Sequence, residues 1–117
     1  MNEQEFKDRT KKFGLRAIRL VESLPKSRTA DAIGKQLWRS ATSVGDNYRA
    51  TCRGKSTADV IAKLSIVKEA TDESLYWMEM LIAAELVTAV KLSALMKESN
   101  ELPAMTVASI KTLRLKK

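Results

Sequence analysis

The sequence contains no histidine, and this absence removes several classes of function at once. Without imidazole there is no histidine general base, no histidine metal ligand and no Glu-x-x-His pair of the kind that holds iron in helical bundles. The single cysteine, Cys52, has no partner with which to form a disulfide inside the chain. We therefore expect no enzyme, no cofactor and no metal site.

Glycine, proline and aromatic residues are also scarce, with four glycines, two prolines and 5% aromatic residues. A β-sandwich needs many turn residues, and a disordered chain is usually rich in proline and glycine. The hydrophobic fraction of 44% and the charged fraction of 30% are those of an ordinary folded domain. The 117 residues therefore predict one all-α domain over residues 1–117.

No long hydrophobic run is present. The longest one, residues 80–84, lies between Glu79 and Glu85, and the first ten residues are mostly polar or charged. These features predict neither a membrane span nor an export signal. Together with the unpaired Cys52, they favour a cytoplasmic protein.

Charge is abundant and unevenly distributed. The chain has 21 basic and 14 acidic residues, a net charge of +7. Residues 24–55 hold seven basic and two acidic side chains, a balance of +5, whereas residues 56–87 hold two basic and six acidic ones, a balance of −4. A basic protein of this kind attracts polyanions, so RNA or DNA is a candidate partner.

Apolar residues recur at steps of three and four along most of the chain, which predicts helices. The expected helices cover residues 3–23, 29–53, 56–85 and 88–115. Their short connections predict an antiparallel up-down-up-down four-helix bundle. Pro103 falls inside the last helix, where it removes one backbone hydrogen bond, so we expect a kink or break near 99–103.

The second predicted helix has a basic stripe opposite its apolar face. At 100° per residue its members fall within an arc of about 80°. They are Arg28, Lys35, Arg39, Arg49 and Arg53. A solvated helix face is the ordinary explanation, because Asp31 and Asp46 lie within reach of these cations; a nucleic-acid surface is the alternative.

The flank of the same helix, between its apolar and basic faces, is lined by small polar residues. They are Gln36, Ser40, Ser43 and Asn47. Hydroxyl and amide groups of this size permit close approach of two helices with hydrogen bonds between them. We therefore expect polar contacts between helices along this flank.

The third helix has apolar residues on more of its circumference than one packing face requires. Its second apolar side comprises Ile66, Ala70, Trp77 and Ala84. Two explanations are open: this side forms a subunit interface, or the helix lies centrally and contacts several others. The carboxylates of the same helix, including Glu69 and Glu73, are expected to form a solvated acidic face rather than a cation site.

One ordered pattern over residues 6–85 resembles a known family. It comprises Leu24-Pro25, the run from Gln36 to Val44, Asn47-Tyr48, Lys68-Glu69-Ala70, Glu73 and Tyr76-Trp77. The pattern looks like that of the four-helix-bundle proteins encoded in bacterial 23S rRNA intervening sequences. More distantly, the chain is similar to the accessory variability determinant proteins of diversity-generating retroelements, which bind nucleic acid beside a reverse transcriptase.

The resemblance implies a ring-shaped homo-oligomer, a pentamer, and assigns no defined biochemical activity. An arginine beside a serine in this motif, here Arg39, could pair with Glu69 or Glu73 instead of facing solvent. We accordingly expect a non-enzymatic homo-oligomer that binds RNA or DNA without sequence preference through the basic stripe. The alternative is a scaffold or adaptor that binds a protein partner and no nucleic acid.

Overall fold

The structure is a computed structural model that describes residues 2–115, with the side chains of 111–114 outside the described part. Four helices account for most of it: α1 Glu3–Glu22, α2 Arg28–Thr51, α3 Thr57–Ala83 and α4 Ala89–Leu115. The described residues contain no strand. The prediction of an all-α protein with four helices is confirmed, and each described helix end lies within two residues of its predicted position.

All four helices begin at side chains that accept a hydrogen bond from the first turn. Asn2 accepts from the Glu5 amide at 2.8 Å and Ser27 from the Ala30 amide at 3.0 Å. Ser56 accepts from the Asp59 amide at 3.1 Å and Thr88 from the Lys91 amide at 3.2 Å. Each bond satisfies an amide that has no partner inside the helix. The sequence therefore fixes these starting points locally, before any tertiary contact is made.

Consecutive helices run antiparallel. A helix of 27 residues, such as α3 or α4, is about 40 Å long, whereas a connection of five residues spans at most about 18 Å. A connection of that length cannot return the chain to the end where the helix began. Each helix contacts the next one along the chain, and α4 contacts α1 to close the bundle. Among the described residues, the backbones of the diagonal pairs do not come close to each other.

The core runs along the bundle axis and receives large side chains from all four helices. Its fully buried members include Phe13 from α1, Leu37 from α2, Met78 and Leu81 from α3, and Leu102 from α4. Burying a side chain of this size contributes about 1.5–3 kcal/mol. The stripes predicted from the three- and four-residue spacing thus face inward.

Helix α4 continues through Pro103 without a break. Proline costs a helix interior about 3 kcal/mol, which explains the prediction of an interruption. Here Leu102 and Thr106 are both fully buried, and Ile110 is 8% exposed. Ending the helix at 99–103 would withdraw these side chains from the core. The predicted break is therefore absent, because burying these side chains stabilises the helix by more than proline destabilises it.

The α2–α3 seam is built from small polar residues. Ser40 and Ser74 are fully buried, and their hydroxyl oxygens lie 3.1 Å apart. This contact confirms the expected polar contact between helices for Ser40. Gln36 instead accepts from Arg39, and Asn47 donates to Ser43 within α2.

Candidate nucleic-acid interface

Four of the five predicted basic residues lie on the outer surface of α2 and at its C-terminal end. Arg28, Lys35, Arg49 and Arg53 are exposed, and none of them forms an ion pair with another described residue. Their positive charge is therefore not neutralised inside the described part of the chain. An exposed cation without an ion-pair partner remains available to attract an external anion.

Arg39 has a different environment from the other four. Its guanidinium forms an ion pair with Glu73 on α3 and donates a hydrogen bond to Gln36 at 3.2 Å. Glu73 also accepts a hydrogen bond from the Trp77 indole N–H at 3.2 Å. Of the two carboxylates suggested by sequence, Glu73 is the partner. Arg39 thus joins α2 to α3 and contributes little free positive charge.

The Arg49 guanidinium lies in a groove of about 490 Å³ between α1 and α2. Lys7 and Lys11 of α1 line the same groove, as do the acidic residues Asp8 and Asp46. Lys11 forms no ion pair with a described residue and extends the basic surface of α2 onto a second helix, whereas Lys7 is paired with Glu3 at 3.7 Å. Sequence reasoning missed both lysines because the rotation of α1 relative to α2 is set by tertiary packing.

The four candidate interface residues of α3 divide into two groups. Ile66 is 45% exposed and Ala84 is exposed, whereas Trp77 is half-buried against the core. Ala70 is only 7% exposed and belongs to the core of the chain itself, so it is not available to a partner. Ala70 faces inward because α2 packs directly over this part of α3.

Tyr76 is an additional exposed aromatic residue that sequence reasoning left out of the apolar side of α3. It is 51% exposed, and its ring meets that of Trp77 edge to face at a centroid distance of 5.0 Å. Ile66 is exposed on the same helix about three turns earlier, and Glu69 and Glu73 lie between it and the two rings. The neighbouring pair of aromatic letters in the sequence was a signal that could have found Tyr76.

The acidic residues of α3 are partly paired with basic side chains. Glu73 is paired with Arg39, and Asp72 is paired with Lys68 at 3.6 Å. Within the described part of the chain, no three carboxylate or thiol groups converge as metal ligands would. Glu69 and Glu79 are exposed and make no ion pair with a described residue, so they give this face its negative charge.

Cys52 is half-buried at the C-terminal end of α2. Burial raises the pKa of its thiol, and a hydrogen bond with Glu3 acts in the same direction. A raised pKa reduces the fraction of thiolate, which is the nucleophilic form. Burial therefore makes Cys52 a weaker nucleophile than an exposed cysteine.

None of the four helices is sufficiently long and apolar to cross a bilayer, as far as the residues described here extend.

The model of one protein family matches residues 2–108, which is most of the chain. That family is described as the 23S rRNA-intervening sequence proteins. The chain belongs to this family. The resemblance inferred from the residue pattern is confirmed.

A solved structure from Bacteroides thetaiotaomicron VPI-5482 has the same fold. It is described as a protein of unknown function from the S23 ribosomal protein family. The two chains are 32% identical, the match covers 95% of this chain and 99% of the other, and the TM-score is 0.87. No curated protein matches the chain. Neither the family description nor that of the solved structure names an enzymatic activity.

Proposed function

We propose that this protein is a non-enzymatic homo-oligomer that binds RNA or DNA through the basic surface of α2. The observation that carries the proposal is the set of four exposed cations without an ion-pair partner among the described residues, namely Arg28, Lys35, Arg49 and Arg53. A solvated helix face would be expected to pair its charges with neighbouring acids. Asp31 and Asp46 are present on α2, but neither forms an ion pair with these cations.

Binding through this surface is expected to depend on phosphate rather than base. Arginine and lysine neutralise phosphates and release condensed counterions, which provides affinity without sequence preference. Lys11 of the α1–α2 groove adds a positive charge beside Arg49, whereas Lys7 in the same groove is paired with Glu3 at 3.7 Å. The expected ligand is therefore a nucleic-acid backbone, and affinity should fall steeply with salt concentration.

Self-association is proposed to use the outer face of α3 that carries Ile66, Tyr76 and Trp77. This face belongs to residues 56–87, which have a negative balance, and includes the unpaired Glu69 and Glu79. A second copy of the chain has a net charge of +7 and so complements this face in charge. A ring, such as the pentamer implied by the family resemblance, would repeat the basic surface of α2 and add avidity on one polymer.

The nucleic-acid proposal is tested by fluorescence anisotropy with a labelled single-stranded RNA and a labelled duplex DNA of random sequence. Replacing Arg49 and Arg53 by glutamine should weaken binding to both probes about tenfold and reduce the salt slope by about 1–2. A matched control removes the same charge from another face: Lys68→Gln with Lys97→Gln should have a much smaller effect. Absence of binding by the unmodified protein at low salt would refute the proposal and favour the adaptor alternative.

The assembly proposal is tested by light scattering on the purified protein. We expect a closed oligomer larger than a dimer at micromolar concentration. Ile66→Ala together with Trp77→Ala should lower its mass, because truncating a central aromatic anchor commonly costs an interface about 2 kcal/mol or more. A monomer in the unmodified protein, or an unchanged mass in the double variant, would contradict the assigned interface.

A further inference from the structure

A second group of basic residues lies in the groove between α1 and α4. Arg16 and Arg19 of α1 line this groove together with Lys91 of α4, and its volume is about 240 Å³. The remaining lining residues are apolar: Leu20, Leu92, Ala94 and Leu95. Apart from the two arginines and the lysine, no charged residue lines the groove.

The three cations converge from distant parts of the sequence. Arg16 and Arg19 are three residues apart, which places them on one face of α1. Lys91 reaches the same groove from the first turn of α4, and its ammonium group donates a hydrogen bond to the Ser23 hydroxyl at 3.3 Å. The chain thus directs three positive groups from two helices into one depression.

The three cations of this groove form no close ion pair with a described residue, although Glu98 attracts Arg16 from a greater distance. Within residues 2–115, apart from the side chains of 111–114, Arg16, Arg19 and Lys91 form no ion pair. The Glu98 carboxylate interacts with Arg16 along the seam, but it accepts hydrogen bonds from Arg9, at 2.7 and 2.6 Å. The exposed Glu22, one turn from Arg19, is likewise unpaired with these groups.

Lys91 is placed where its charge is unfavourable for the helix that carries it. The N-terminus of a helix has a partial positive charge, and the first turn of α4 contains no acidic residue to offset it. An anion bound in the groove would offset the charge of Lys91 and of the two arginines. The site therefore gains electrostatic stabilisation when it is occupied.

We propose that the α1–α4 groove binds the phosphate backbone of a nucleic acid, as a second contact surface separate from α2. Two guanidinium groups can each present paired N–H donors to phosphate oxygens, and Lys91 adds a compact charge. No aromatic residue lines the groove, so bases are not stacked there. This inference rests on the proposed function and extends it to a second surface of the same protein.

An acidic protein segment fits the groove less well than a nucleic-acid backbone does. A partner helix would need apolar surface to bury, but Leu20, Leu92 and Leu95 are 9%, 1% and 6% exposed and already belong to the core. Among the apolar residues that line the groove, only Ala94 is exposed to solvent. What remains accessible is mainly charge, which suits a hydrated polyanion.

The test compares two double variants of the protein that lose the same charge. Arg19→Gln with Lys91→Gln alters the groove, whereas Lys68→Gln with Lys97→Gln alters residues of α3 and α4 that do not line it. By anisotropy with the same RNA and duplex probes, the groove variant should bind about tenfold more weakly, with a salt slope reduced by about 1–2. Arg19→Lys with Lys91→Arg, which keeps the charge, should restore most of the affinity.

Equal affinities for the groove variant and the control variant would overturn the proposal while leaving the role of α2 intact. If the unmodified protein binds neither probe, the proposed function itself fails, and the groove inference fails with it. A change in oligomer mass by light scattering in the groove variant alone would also overturn the proposal, because it would identify the groove as a subunit contact.

A lysine-modification footprint tests the proposal on the unmodified protein, so the result does not depend on whether a variant folds. Acetylation of surface lysines followed by mass spectrometry should show Lys91 protected by bound RNA, and Lys97 modified equally with and without RNA. Equal modification of Lys91 in both conditions would refute the proposal.

Discussion

The α2–α3 seam and the α1–α4 seam of this bundle are held together in different ways. Between α2 and α3, the small residues Ser40 and Ser74 are fully buried and touch through their hydroxyl groups. The backbones of α1 and α4 approach each other at fewer points, and long charged side chains connect the two helices. The helices joined by a short connection are closely packed, whereas the pair that closes the bundle depends more on charge.

The charge contact of the α1–α4 seam centres on Arg9. Its guanidinium binds Glu98 through two hydrogen bonds, donates to Glu101 at 2.7 Å and approaches the Met105 sulfur at 3.2 Å. The arginine and Glu98 side chains are 26% and 15% exposed, so water screens this pair only in part. Close packing depends on volume, whereas a charge contact also depends on pH and salt. This difference can be tested seam by seam.

The largest effect is expected from overfilling the α2–α3 seam. Ser74→Leu adds carbon atoms where no space exists and removes a hydroxyl that bonds the Ala70 carbonyl at 2.8 Å. The free energy of unfolding, measured with urea, should fall by about 3 kcal/mol. Ser93→Leu on the exposed face of α4 is the control and should change it by less than about 0.5 kcal/mol. Similar losses in both variants would show that the seam is not closely packed.

The next largest effect is expected from removing the Arg9 charge contact. Arg9→Met keeps much of the side-chain volume but leaves Glu98, 15% exposed, without its partner. The free energy of unfolding should fall by about 1–2 kcal/mol, between the values typical of exposed and buried pairs. Lys63→Met, which removes the pair with Asp59 within α3, should cost clearly less. Equal costs would mean that Arg9 acts as an ordinary surface residue.

The Arg9 contribution should also depend on pH. The hydrogen bond from Arg9 lowers the pKa of Glu98 below its usual value of 4.5, and this effect exceeds the opposing effect of burial. A carboxylate with a lowered folded-state pKa stabilises the protein above the unfolded-state pKa, and this stability is lost as pH falls through the folded-state pKa. Urea unfolding from neutral to acidic pH should therefore show the difference between the unmodified protein and Arg9→Met shrinking below about pH 4.5. A difference that stays constant or grows towards acidic pH would exclude this linkage.

The smallest effect is expected from the charge pair that crosses the α2–α3 seam at its surface. Arg39 and Glu73 have 57% and 37% exposed side chains, so solvent screens their attraction. Arg39→Gln should lower the free energy of unfolding by less than about 1 kcal/mol. Repeating the measurement at about 1 M salt, where charges are screened over about 3 Å, should reduce the loss further. A loss as large as that of Arg9→Met would show that charge contributes equally to the α2–α3 and α1–α4 seams.

The sequence by itself determined the four helices and the side of each that faces inward. Helical periodicity fixes the angle of every side chain about its own axis, so Phe13 and Leu37 could be assigned to the core without coordinates. Local hydrogen bonds fixed the beginnings at Ser27 and Ser56, since a cap involves only residues of the same turn. The family followed from the same pattern and is confirmed by its match over residues 2–108.

Only the tertiary structure decided how the helices are rotated and offset against one another. It selected Glu73 over Glu69 as the partner of Arg39, buried Ala70 and carried α4 through Pro103. It also brought Arg16 and Arg19 beside Lys91, more than 70 residues away in the chain. These outcomes depend on the distance and register between helices, which the packing of the whole core sets and which periodicity within one helix does not contain.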